Sequence, residues 1–161
     1  MPLALAEFNT AEAAEVRPVL TACLAVPRWV DAVLEGRPYP RFDALLKAAE
    51  RATPLSRDEV RAAIAAHPRI GEQPRGTGED AGWSRGEQSG VDNAGEFAAA
   101  NAEYESRFGH VFLVCAAGRS GTELLANLRS RLGHDPETEL DVAGAELAQI
   151  ARLRLAKAVT G

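Results

Sequence analysis

Ser56-Arg57-Asp58-Glu59-Val60-Arg61-Ala62-Ala63-Ile64-Ala65-Ala66-His67-Pro68 is the stretch from which the rest of the chain can be read. Ser followed three residues later by Glu is the spacing of a capping box, in which the hydroxyl caps the first turn and the carboxylate reaches back to the cap amide. Val60, Ala63 and Ile64 then recur at helical spacing and face inward. Pro68 disfavours helical geometry at the residue before it, so the helix ends at His67 and leaves an imidazole at the mouth of a loop. Histidine is the side chain best suited to moving protons near neutral pH, which makes this helix end the first place to look for chemistry.

Working outward, Gly71, Gly76, Gly78, Gly82 and Pro74 interrupt any apolar period and predict a loop. Ser84-Arg85-Gly86-Glu87 and Ser120-Gly121-Thr122-Glu123 repeat the capping-box spacing. A helix is expected from about Gly95 to Arg107, stopping at Gly109, and another from Ser120 through Leu124, Leu125, Leu128 and Leu132 to Gly133. Asp135-Pro136 opens the last helix, with Leu140, Leu147, Ile150, Leu153 and Val159 as its apolar positions. Upstream, Asn9 or Thr10 is expected to cap a short first helix, and Pro18 to sit in the first turn of a second. Pro27 opens a third through Trp29, Val30, Val33 and Leu34, with Gly36 as a left-handed terminator, and Phe42, Leu45, Leu46 and Ala49 carry a fourth until Thr53-Pro54 breaks it. Val111-Phe112-Leu113-Val114-Cys115 is the one strand-like run, read as a buried extended segment or a helix start.

These signals predict an all-α fold, a compact helical bundle of about seven to nine helices. The chain, residues 1–161, is short enough for a single domain and long enough for a real core. A composition of 46% hydrophobic but only 6% aromatic residues favours closely packed helices over a sheet. The net charge of −5, with Lys and Arg scattered, supplies no footprint for nucleic acid. Cys23 and Cys115 lie in apolar runs and read as free thiols, since a domain of this size needs no disulfide. The amino terminus lacks a basic segment before an apolar run, no stretch has membrane-spanning length, and the carboxyl terminus is not Ser-Lys-Leu. No membrane association and a cytoplasmic location are the expectation.

His67, His110 and His134 show no metal-ligand spacing, Gly76-x-Gly78 is not a phosphate loop, and no serine or cysteine sits in a nucleophile elbow. Neither metal nor organic cofactor is therefore expected.

Four blocks, His67-Pro68-Arg69-Ile70-Gly71, Ser84-x-x-Glu87-Gln88-Ser89-Gly90, Phe108-Gly109-x-x-Phe112-Leu113-Val114-Cys115-Ala116 and Leu153-Arg154-Leu155, resemble the 2-oxo-4-hydroxy-4-carboxy-5-ureidoimidazoline (OHCU) decarboxylase family in order and spacing. The resemblance spans nearly the whole chain. It implies cofactor-free formation of (S)-allantoin in urate breakdown, and a homodimer. By the same resemblance His67 delivers the proton, Glu87 orients substrate or imidazole, and Pro68, Ser84, Arg85, Gly86, Gln88, Phe112, Leu113, Val114, Cys115, Ala116 and Arg154 contact substrate.

Each residue also has a plainer reading. His67 read alone is as well a surface histidine before a proline, and Glu87 as well a helix cap. Arg154, by spacing alone, is more readily a solvated cation pairing with Glu146, and Arg152 is the alternative carboxylate partner. A metal-dependent hydrolase and a helical ligand-binding module are the competing functional classes.

Overall fold

The computed structural model describes residues 2–66 and 94–161. Among them are eight helices: α1 (Leu5–Thr10), α2 (Ala13–Cys23), α3 (Pro27–Glu35), α4 (Phe42–Arg51), α5 (Arg57–Ala65), α6 (Ala94–Phe108), α7 (Gly121–Arg131) and α8 (Pro136–Ala158). The all-α expectation holds. A pair of two-residue strands, β1 (Leu3–Ala4) and β2 (Val159–Thr160), joins the two ends of the chain in parallel register, Leu3 opposite Val159. Such a short pair across the full length of a chain leaves no local pattern to read.

α8 is the axis of the larger core, with α2, α4 and α5 packed against it. It can serve several neighbours because its buried positions, including Leu140, Ala143, Leu147, Ile150, Ala151 and Leu155, cover more than one face. Small residues set how closely those neighbours approach: a methyl group on Gly144 would lie 3.1 Å from Val60 Cγ2 of α5. Leu153 is the exception to the expected apolar face, 41% exposed on the side that no described element covers. A second, smaller core joins α6 and α7 through Phe97, Tyr104, Leu124, Leu125 and Leu128.

The segment after α6 ties the two cores together. Gly109 has φ +79°, and its amide closes on Glu105 O at 2.8 Å, so a left-handed glycine ends α6 where expected. Residues 111–116 are then neither helix nor strand. Their side chains nevertheless alternate: Leu113 and Cys115 enter the larger core, and Phe112, Val114 and Ala116 the smaller one. Of the two expected forms, a buried extended segment or a helix start, the first is the one found, with both side-chain faces packed against protein.

At α5 the capping box forms in full, Glu59 N donating to Ser56 Oγ at 3.1 Å and Ser56 N to Glu59 Oε1 at 2.9 Å. Hydrogen bonds from Arg28, and then from the Ser56 amide, hold the Glu59 carboxyl below its ordinary range. A depressed carboxyl pKa stabilises the fold above the unfolded value near 4.5, and that contribution is lost as pH falls through the lower folded value. Ser56→Ala is expected to cost about 1 kcal/mol at neutral pH. Thermal melts at pH 7 check this, and a variant as stable as wild type would show that the Ser56 cap contributes nothing.

Ser120 Oγ accepts from Glu123 N at 3.1 Å and Asp135 Oδ1 from Thr138 N at 2.7 Å, which confirms both predicted helix starts. The expectations near the amino terminus need correcting. α1 begins at Leu5, so Asn9 lies within it and instead pins the Tyr39 backbone, accepting from Tyr39 N at 2.8 Å and donating to Tyr39 O at 2.9 Å. α2 begins at Ala13, placing Pro18 in its interior, where the burial of Val16 and Leu20 outweighs the bond Pro18 cannot donate. Gly36 has φ −76° and is not left-handed; its hydrogen makes room for the Tyr39 ring, whose hydroxyl donates to Val33 O at 2.7 Å. α5 stops at Ala65, two residues before His67, with Ala66 as its cap.

Candidate active site

Of the sequence-derived site residues, His67, Pro68, Ser84, Arg85, Gly86, Glu87 and Gln88 lie outside the described residues, as do the 71–82 loop and the Ser84 capping box. Phe112 to Ala116 and Arg154 lie within them.

Arg154 is 2% exposed on α8, so the solvated reading fails. Its Nη1 donates to Ala22 O at 3.1 Å, in the last turn of α2. A helix end presents carbonyls without intrahelical partners and a partial negative charge, both of which suit a guanidinium. Glu146, the partner assumed for a solvated Arg154, pairs with Arg119 at 3.4 Å instead. The competing Arg152 is 59% exposed at its side chain and lies 3.8 Å from Glu50 on the outer surface.

Arg154 lines a hollow of about 650 Å³ with Ala14, Arg17, Pro18, Thr21, Ala22, Ala25 and Ala66. Small side chains from α2 make the space, and Arg17 and Arg154 bring guanidiniums to its wall. At the rim, Arg17 Nη1 is 2.7 Å from Asp31 Oδ1. Pro18 cannot give the helical bond to the Ala14 carbonyl, which leaves that oxygen on the hollow-lining face without its i+4 donor. Ala66, the residue before His67 in the sequence, is part of the same wall. The hollow therefore joins Arg154 to the end of α5, the two places where sequence motifs put the chemistry; Phe112 to Ala116 are not among its lining residues.

What holds residues 112–116 is a buried polar cluster that sequence reasoning missed. Arg131 and Glu139 are 2% and 0% exposed. Arg131 Nε donates to Glu139 Oε1 at 2.6 Å, and Nη2 completes an ion pair with the same carboxylate. Tyr104 Oη donates to Glu139 Oε1 at 2.6 Å, and His134 Nδ1 lies 3.0 Å from Oε2. Burial, with the Glu139 hydrogen bond, pushes the Tyr104 hydroxyl far up, so it remains a donor. Arg131 Nη1 then donates to Leu113 O at 2.6 Å, while the guanidinium stacks 4.6 Å from the Phe112 ring centre. A signal was present in the sequence: Leu124, Leu128 and Arg131 share one helical face, which puts Arg131 on the apolar side of α7.

Among the described residues, no group of three or more His, Cys, Asp or Glu side chains is placed to hold a metal ion. Cys23 and Cys115 are both buried. No described helix is long and apolar enough to cross a membrane.

The described residues define the class as an all-helical protein in which a buried arginine lines a hollow. The fold superposes on a crystal structure of an OHCU decarboxylase in the presence of (S)-allantoin with a TM-score of 0.71, at 24% identity over 91% of this chain and 97% of that one. The OHCU decarboxylase family model matches residues 9–156, and the chain belongs to that family. It is 31% identical to the 2-oxo-4-hydroxy-4-carboxy-5-ureidoimidazoline decarboxylase of Amia calva, over 77% of this chain and 75% of that protein. It is 36% identical to the uric acid degradation bifunctional protein TTL of Arabidopsis thaliana over 59% of this chain, a match that spans only 32% of the plant protein.

Proposed function

We propose that this chain decarboxylates OHCU to (S)-allantoin without metal or organic cofactor, acting as one domain over residues 1–161. The bond from the ring carbon to the carboxylate breaks, carbon dioxide leaves, and the electron pair moves into the adjacent ring C=N. Because the substrate carries its own electron sink, no other is required. A ring C=C forms and the former imine nitrogen takes up a proton; the ureido-bearing carbon is then protonated on one face, with His67 as donor, while the 4-hydroxyl gives up its proton and becomes the ring carbonyl. Glu87 accepts from donor groups of the substrate or from the imidazole, and Ser84, Arg85, Gly86 and Gln88, with Pro68, surround the ring and ureido group. Backbone groups of Phe112 to Ala116 contribute further bonds, and Arg154 takes a substrate carboxylate.

The observation that carries this reading is Arg154: an arginine 2% exposed, lining a hollow whose wall also includes Ala66, next to His67 in the sequence. Holding reactants in one geometry supplies much of the rate in such a reaction, and protonation from a fixed side explains a single product hand.

Freshly generated OHCU incubated with the protein should yield (S)-allantoin at a rate unchanged by exhaustive chelation. Racemic allantoin at the spontaneous rate, or activity lost to chelator and restored by one metal, would refute the reading. A homodimer in the cytoplasm completes the proposal; light scattering at micromolar concentration should give twice the chain mass.

A further inference from the structure

We propose that Arg131 is a positioning residue for the substrate, acting through the Leu113–Val114 peptide. Residues 111–116 have no regular secondary structure to orient their peptide groups, so side chains must do it. Arg131 grips two neighbouring positions at once, donating to Leu113 O at 2.6 Å and stacking 4.6 Å from the centre of the Phe112 ring. A peptide unit is planar and trans, so its carbonyl and its amide hydrogen point in opposite directions. With the Leu113 carbonyl turned toward Arg131, the Val114 N–H is turned away from it. Arg131 thereby sets the direction of a backbone donor, and such a donor suits a carbonyl or anionic oxygen of a ligand.

The guanidinium itself has little freedom to move. Glu139, 0% exposed, accepts from Nε and forms an ion pair with the guanidinium, and is held in turn by Tyr104 Oη at 2.6 Å and His134 Nδ1 at 3.0 Å. A fork held on one side by a carboxylate and presenting Nη1 on the other is a rigid bracket, which lysine with its single ammonium cannot reproduce. The inference rests on the reading that residues 112–116 contribute backbone groups to substrate binding.

The test compares Arg131→Lys with Tyr104→Phe. The second substitution removes one bond to the same carboxylate but does not touch the Leu113–Val114 peptide. With both variants assayed well below their melting temperatures, Arg131→Lys should raise KM for OHCU and Kd for (S)-allantoin by about tenfold, with kcat within about threefold of wild type. Tyr104→Phe should lower Tm while leaving KM within about twofold. A merely structural Arg131 would lower Tm and leave KM and Kd unchanged, and that result overturns the proposal. So does an equal rise in KM for both variants, which would indicate general loosening. A wild-type protein that neither turns over OHCU nor binds (S)-allantoin would instead refute the functional reading on which this one rests.

Discussion

His67→Asn is expected to slow the chemical step by about 100-fold or more, the usual contribution of a positioned acid or base, with fold and allantoin affinity largely retained. Asparagine keeps a polar side chain of similar reach but cannot carry the proton. Glu87 sharpens the comparison, because its plain alternative is a helix cap at the Ser84-x-x-Glu87 spacing. Glutamine can still close a capping box but offers no ionised carboxylate, so Glu87→Gln should melt near wild type and lose most activity. Glu87→Ala should lose the activity and also about 0.5–2 kcal/mol of stability if the cap is real. Thermal melts and stereospecific allantoin formation on the three variants decide it. Near-normal turnover by Glu87→Gln would return Glu87 to a purely structural role.

The largest stability effect is expected at Glu139. Its carboxylate is fully buried and receives Arg131, Tyr104 and His134. Glu139→Ala leaves the Arg131 guanidinium buried opposite a cavity, and uncompensated buried charge costs about 3–5 kcal/mol. For a chain of this size that corresponds to a fall in Tm of about 10 °C or more. Removing both charges should be milder than removing one: the pair Arg131→Met with Glu139→Leu should recover much of the loss, since apolar side chains of similar volume avoid the desolvation penalty. Denaturant melts of the single and double variants check this, and a double variant no more stable than Glu139→Ala would mean that packing, not charge, dominates the site.

Helices whose starts were local were legible from the residues alone. Ser56, Ser120 and Asp135 each accept a bond from an amide three residues ahead, an interaction decided within a single turn. Gly109 ends α6 for the same local reason, a backbone angle that favours glycine. The expectations that failed concerned what lies opposite in space. Gly36 looked like a left-handed terminator and is instead the gap into which the Tyr39 ring fits. Pro18 looked like a helix start and is held inside α2 by the burial of Val16 and Leu20.

The site divides in the same way. Motif order and spacing along the chain pointed to the family, its cofactor-free chemistry and the residues of the 67–68 and 84–88 blocks, because those features are written in residue identity. Burial of a charged side chain is not. Arg154 and Arg152 stand two positions apart on one helix, and only the packing of α2 against α8 makes the first 2% exposed beneath the Ala22 carbonyl while the second stays on the outer surface. Arg131 and Glu139 likewise lie eight residues apart on different helices, and only the closing of the cores over them buries the pair. Whether a charge meets water or a buried partner depends on elements distant in sequence, and the desolvation that makes such a charge selective exists only once those elements have packed.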